Sequence, residues 1–330
     1  MVMESHFLKS IHLARGIASV LVAWIHAVQF FPDGFDSELF DGKSSIVIVG
    51  GVGVDLFFII SGFVIALNVN NNIDYKRFIC SRVVRLVPVY WLYTFAFYIA
   101  MLCFAKDYLF IPTELLYSLL FIPYENQFGA VQPILSVGWS LNYEMLFYVS
   151  VGLLMFMNSK KFYLFLPLIF IGAINFHYDV IIFEFLLGTF LFYLYNKRCF
   201  LNTCLALAFL VASPVVILMF SSLAYGEGGV LRLLIWGCGG AMFLYSVLHF
   251  ENHLTILPKP VFRYLYLMGT VSYTLYLSHW FVGFVSYRFL DFLPASLQVS
   301  MTFLLMLVIA VPLYFILEKP IIGYMKRLIK

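Results

Sequence analysis

Charge is what this sequence has least of. Asp, Glu, Lys and Arg together make up 11% of its 330 residues, where a soluble domain needs about 25% to cover its surface. That deficit excludes a water-soluble globular protein. A net charge of +3 is too small to point to a nucleic-acid partner, and none is expected. The five cysteines, Cys80, Cys103, Cys199, Cys204 and Cys238, are odd in number and contain no CxxC pair. Scattered as they are, with none clearly paired on the outer side, they read as free thiols packing as small apolar groups. No repeat of fixed period and no low-complexity linker interrupts the chain, so residues 1–330 are read as one domain.

What is abundant is apolar surface: 63% of the residues are hydrophobic, 19% are aromatic and the mean hydropathy is +0.96. At about 20 residues per membrane crossing, the length holds roughly ten spans. Apolar runs fall near 11–31, 46–67, 86–105, 138–157, 162–175, 180–196, 203–222, 229–248, 265–288 and 299–317. The stretch 108–123 is either a loop or a re-entrant or interfacial segment, and a full crossing there would invert everything after it. With ten spans, sixteen of the 20 basic residues lie on one side, leaving Lys43, Lys106, Arg232 and Arg288 on the other. By the positive-inside rule both termini are then cytoplasmic, and acidic Asp33, Asp36, Glu38 and Asp41 face outward. The basic flank before the first run imitates a secretory signal. Nine further runs follow it, so it is read as an uncleaved span. The expected fold is an all-α polytopic membrane protein of about ten transmembrane helices.

Ionisable groups inside such spans are costly and are functional candidates by default. They are His26, Asp55, Glu144, Glu184 and His279. Arg15 and His26 are eleven residues apart, which returns to within about 20° of one helix face and separates them by about 16 Å. The first span thus offers a cation at its cytoplasmic end and an imidazole in its outer half. The bland alternative is a snorkelling anchor and a hydrogen-bonded packing histidine.

Glu144 is expected at a depth similar to His26, with Ser140 and Tyr148 on its face at i−4 and i+4. A carboxylate beside an imidazole can orient its tautomer and stabilise the imidazolium, as general-base catalysis requires; a structural His–Glu pair between two helices is the competing reading. In the ninth span Ser272, Tyr276, His279, Gly283 and Ser286 form one stripe, placing His279 to line a substrate path or support the catalytic groups. Asp55 lies among glycines that permit close helix approach or a break. Glu184, near an outer end, is read as reaching the headgroups. In the second cytoplasmic loop, Arg82 and Arg85 sit one turn apart as a fork for phosphate oxygens, although any such loop collects basic residues for orientation and lipid contact.

Several ordered motifs coincide with a known family. They are Arg15-Gly16-Ile17-Ala18 with His26; Gly53-Val54-Asp55-Leu56-Phe57-Phe58-Ile59-Ile60-Ser61-Gly62-Phe63; Arg82-Val83-Val84-Arg85-Leu86-Val87-Pro88; Gly138-Trp139-Ser140-Leu141-Asn142-Tyr143-Glu144 with Phe147-Tyr148; Ser272-Tyr273 with Tyr276 and Ser278-His279; and Glu318-Lys319-Pro320. Together, over nearly the whole chain, they resemble the integral-membrane acyltransferase family three, O-acyltransferases of surface polysaccharides. The segments 118–125 and 137–144 are most similar to its exopolysaccharide acetyltransferase branch. A chain ending at Lys330 is expected to lack the extracytoplasmic domain some members carry.

The resemblance implies acyl-coenzyme A, acetyl-CoA above all, as donor and no metal. The acceptor it implies is a hydroxyl of a polysaccharide or its lipid-linked precursor. It places the protein among membrane lipids in a bacterial inner membrane. His26 and Glu144 would be catalytic and Arg15, Arg82 and Arg85 would bind the donor. Asp55, Ser61, Trp139, Asn142, Tyr143, Tyr276 and His279 would line the path or support the reacting groups. Two other classes fit ten spans with buried charge: a polytopic transporter or flippase of a polysaccharide pathway, which often shows an inverted repeat, and a non-catalytic membrane partner of an assembly machine.

Overall fold

The computed structural model describes residues 8–31, 44–71, 73–104, 109–157, 162–199, 202–227 and 229–328. The acidic cluster Asp33, Asp36, Glu38 and Asp41, together with Lys43, Lys106, Lys160, Lys161 and Lys330, lies outside them. Among the described residues there are helices and no strand, with a single antiparallel bridge between Glu125 and Val131. Five helical segments among the described residues are long and apolar enough to cross a membrane: α1 Lys9–Gln29, α2 Ser45–Asn70, α3 Tyr75–Phe104, α10 Gly229–His249 and α12 Ala295–Leu328. Between and around them run α4 Pro112–Leu119, α5 Trp139–Phe156, α6 Phe162–Ala173, α7 Glu184–Asn196, α8 Thr203–Met219, α9 Ser221–Glu227 and α11 Lys259–Phe289. Large apolar side chains such as Ile99, Phe156, Leu164 and Val308 are more than half exposed. An outside so apolar suits hydrocarbon rather than water.

Each apolar run becomes a helix, but the boundaries shift for local reasons. Residues 76–85, expected as a cytoplasmic loop, are the first turns of α3. The Asp74 carboxylate accepts from the Lys76 and Arg77 backbone N–H groups at 3.0 and 3.4 Å and so caps the orphan donors of that helix end. Of the stretch 108–123, the described residues 109–123 contain one helix, α4, eight residues and about 12 Å long, too short to cross. Glu114 is buried there and accepts the Gln127 backbone N–H at 2.6 Å, folding the loop back on itself. The runs at 162–175 and 180–196 give helices of 12 and 13 residues, shorter than a crossing requires.

The bundle is organised around α1 and α11, which pack side by side with α2 and α12 against them. Glycine makes the approach possible. A Cβ at Gly16 would run into the Leu265 carbonyl oxygen, and one at Gly269 into the His12 carbonyl oxygen, so the two backbones touch where each lacks a side chain. Gly16→Ala is therefore expected to force the helices apart and destabilise the fold by about 1–3 kcal/mol. Gly172→Ala, where a Cβ meets nothing within 4 Å, should be harmless. Thermal unfolding of the two variants in detergent distinguishes them; equal midpoints would contradict the tight α1–α11 contact.

Candidate active site

The α1–α11 contact aligns the two histidines of the spans. His279 Nδ1 lies 3.0 Å from the Leu275 carbonyl oxygen, and His26 Nδ1 lies 2.9 Å from the Val22 carbonyl oxygen. Carbonyls only accept, so both Nδ1 atoms carry hydrogen. His279 Nε2 is then a lone pair, and it sits 3.0 Å from His26 Nδ1. The His26 Nδ1–H is shared between Val22 O and His279 Nε2, which leaves His26 Nε2 unprotonated. His279 is fully buried, whereas His26 is partly exposed, with the Trp280 ring set edge-on 5.2 Å away between centroids.

This differs from the expected His26–Glu144 pair. Glu144 faces another way: its Oε1 accepts from Ser61 Oγ at 3.1 Å and from the Tyr148 hydroxyl. Equal depth on two helices does not fix their relative rotation, and that rotation turns Glu144 into a separate cavity.

The cavity, of about 70 Å³, is lined by Arg15, Arg82, Arg85, Ser61, Glu144, Tyr148, Ser272 and Tyr276 among others. Three guanidiniums and one carboxylate line it, so it carries surplus positive charge in apolar surroundings, a costly arrangement unless an anion completes it. Arg15 Nη2 donates to Ser272 Oγ at 3.0 Å. Arg82 lies over the Tyr148 and Phe78 rings at 5.6 and 5.7 Å, and its Nε is buried with no partner among the described residues. These arginines fit a phosphate-bearing ligand. The volume corresponds to about two or three waters, so a ligand's arm enters only if side chains move. Of the lining residues, Tyr276 is the one whose ring meets a histidine. Its hydroxyl donates to the Val137 carbonyl at 2.5 Å and accepts from Ser140 Oγ at 2.6 Å, and its ring lies 5.8 Å from that of His279.

The remaining candidates fall elsewhere. Asp55 forms no helix break; it is completely buried and receives a bidentate pair from Arg232, Nε to Oδ1 at 3.0 Å and Nη2 to Oδ2 at 2.9 Å. Arg232, counted above among the outward charges, was thus missed as a buried partner. The signal was available: a carboxylate inside a helix of such hydropathy requires a cation, and few were left on its side. Its guanidinium lies over Trp236 at 5.0 Å and Trp139 at 5.9 Å, beside the π-helical turn Leu233–Gly237. Glu184 does not reach headgroups; it is fully buried beside Gly237 and the Asp55–Arg232 pair. Trp139, Asn142 and Tyr143 line a second cavity on the far side of α5 from Glu144 and Ser61.

The imidazole pair and the arginine-lined cavity thus lie one tyrosine ring apart inside an apolar helical bundle. The family model described as an acyltransferase domain matches residues 8–318, and the chain belongs to that acyltransferase family. It is 40% identical over 103 residues to the exopolysaccharide production protein ExoZ of Rhizobium meliloti (strain 1021). That match covers 30% of this chain and 32% of ExoZ. No solved structure matches the chain.

Proposed function

We propose that this protein is a membrane O-acyltransferase that moves an acyl group, acetyl above all, from acyl-coenzyme A to a hydroxyl of an exopolysaccharide or its lipid-linked precursor. The observation that carries this reading is the surplus of partly buried guanidinium in the Arg15, Arg82 and Arg85 cavity, one tyrosine ring away from a histidine pair in which His26 Nε2 is free to take a proton. On this reading residues 1–330 act as one domain in a bacterial inner membrane with both termini cytoplasmic, and the ten apolar runs give about ten passes, of which the short helices α6 and α7 each enter the bilayer without spanning its full thickness alone. The phosphates of the donor then meet Arg82 and Arg85 from the cytoplasm. Its arm extends past Tyr276 toward His26, about 16 Å along α1 from Arg15.

At the reacting end, His26 Nε2 removes the proton of the acceptor hydroxyl as its oxygen attacks the thioester carbonyl carbon. The tetrahedral intermediate collapses with cleavage of the C–S bond. The departing thiolate takes the proton back from His26, giving free coenzyme A and the new ester. During this step His279 Nε2 receives the strengthened hydrogen bond from His26 Nδ1–H. It performs without a net charge the orienting work expected of a carboxylate, which suits a group buried in hydrocarbon. Glu144 balances the arginines instead. The rival route, acylation of His26 itself, is tested by mass spectrometry of the protein mixed with acetyl-CoA and no acceptor: an unmodified His26 peptide is the expected result.

Arg82→Ala is expected to weaken coenzyme A binding about 10- to 100-fold, the cost of a charge-assisted hydrogen bond, read by calorimetric titration in detergent. Unchanged affinity would remove Arg82 from the donor site. The function as a whole is tested by comparing, by mass and NMR, polysaccharide from cells with and without the protein. An ester present at one hydroxyl only in the former is expected.

A further inference from the structure

The second cavity, about 280 Å³, opens between the loop after α4, the first turn of α5 and the turn joining α6 to α7, and none of the chemistry above uses it. It backs onto the arginine cavity: Ser140 and Leu141 line one, Trp139, Asn142 and Tyr143 the other. Asn142 is 4% exposed, and its Oδ1 has no partner among the described residues. Tyr143 accepts the Asp179 backbone N–H at 2.7 Å, which leaves its own O–H to be given. The Trp139 and Tyr143 rings meet edge to face, 5.6 Å between centroids. Gln132, His177 and Asp179 complete the polar wall.

Aromatic faces beside an amide oxygen, a phenol, an imidazole and a carboxylate match a ring that is apolar on its C–H face and ringed by hydroxyls. Asp179 is the one carboxylate among the lining residues, and the Arg232 guanidinium over the Trp139 ring at 5.9 Å is committed to Asp55 by two hydrogen bonds, which disfavours an anion. The volume lies just below the range of about 300–1,000 Å³ of drug-sized sites and holds one ring rather than several. We propose that this cavity binds one neutral pyranose unit of the saccharide acceptor, a subsite that supplies affinity away from the reacting hydroxyl; the inference rests on the acyltransferase reading above.

The test uses the full chain in detergent, with saturation-transfer difference NMR reporting contact between protein and sugar protons. Cellotetraose, maltotetraose and laminaritetraose are the neutral probes and tetragalacturonate is the acidic one; coenzyme A is titrated calorimetrically into the same samples. At least one neutral tetrasaccharide is expected to give signals, and tetragalacturonate none. Asn142→Ala should weaken that binding about tenfold, the loss of one buried hydrogen bond, with coenzyme A affinity unchanged. His177→Asn is a second variant that preserves the fold, because asparagine tolerates the left-handed backbone of that residue, φ 63°; it should weaken the same binding. No signal from any neutral probe, undiminished signal in both variants, or equal signal from tetragalacturonate would overturn the proposal. Failure of the acyltransferase reading shows separately, as absence of coenzyme A binding by the unaltered protein.

Discussion

His26→Ala is expected to lower acyl transfer by about 10²–10⁴-fold, the range for loss of a positioned general base, while coenzyme A binding stays within twofold. The split follows from the layout. The arginines proposed to hold the donor lie on α1 and α3 and line a cavity to which His26 does not contribute. The imidazole meets its partners Val22 and His279 outside that cavity. Transfer measured with radiolabelled acetyl-CoA, together with calorimetry, reads both quantities. Loss of donor binding alongside transfer would mean that His26 shapes the arginine cavity, and normal transfer would remove the imidazole from the chemistry altogether. His279→Gln, which keeps an acceptor near the position of Nε2, is expected to retain more transfer than His279→Leu, because the orienting hydrogen bond can re-form.

The second large effect is on stability. Arg232→Met leaves the Asp55 carboxylate buried without its bidentate partner, and breaking such a pair costs about 3–5 kcal/mol. Removing the other half as well, with Asp55→Leu on the same chain, should restore most of the loss, since a matched apolar pair is often as stable as a buried ion pair. Thermal unfolding of the single and double variants in one detergent decides it. A double variant no more stable than Arg232→Met would show that the pair is not what holds α2 to α10 at this point.

Much of this architecture could be read from the chain. Low charge and long apolar runs require helices, because only closed backbone hydrogen bonding survives in hydrocarbon, and every run became one. Spacing within a helix was equally informative. Ser140, Glu144 and Tyr148, and separately Ser272 and Tyr276, fall on shared faces by sequence, and those faces line the arginine cavity. What periodicity within one helix does not contain is the rotation of that helix against its neighbours. That rotation gives His26 a histidine rather than Glu144 as partner, and it is set by the Gly16 and Gly269 contacts between α1 and α11. Arg232 was hidden for a different reason. Counting charges by side assigns a residue to a loop, whereas the demand of Asp55 for a cation draws this arginine into the bundle.

The most direct measurement is a cryo-electron microscopy structure of the protein with coenzyme A bound. The phosphates are expected against Arg82 and Arg85, the Tyr276 ring displaced, and the sulfur within a few ångströms of His26 Nε2, about one acyl group's length away. Phosphates at those arginines with the sulfur turned back toward the cytoplasm, and the Tyr276 ring undisplaced, would contradict the transfer site described here.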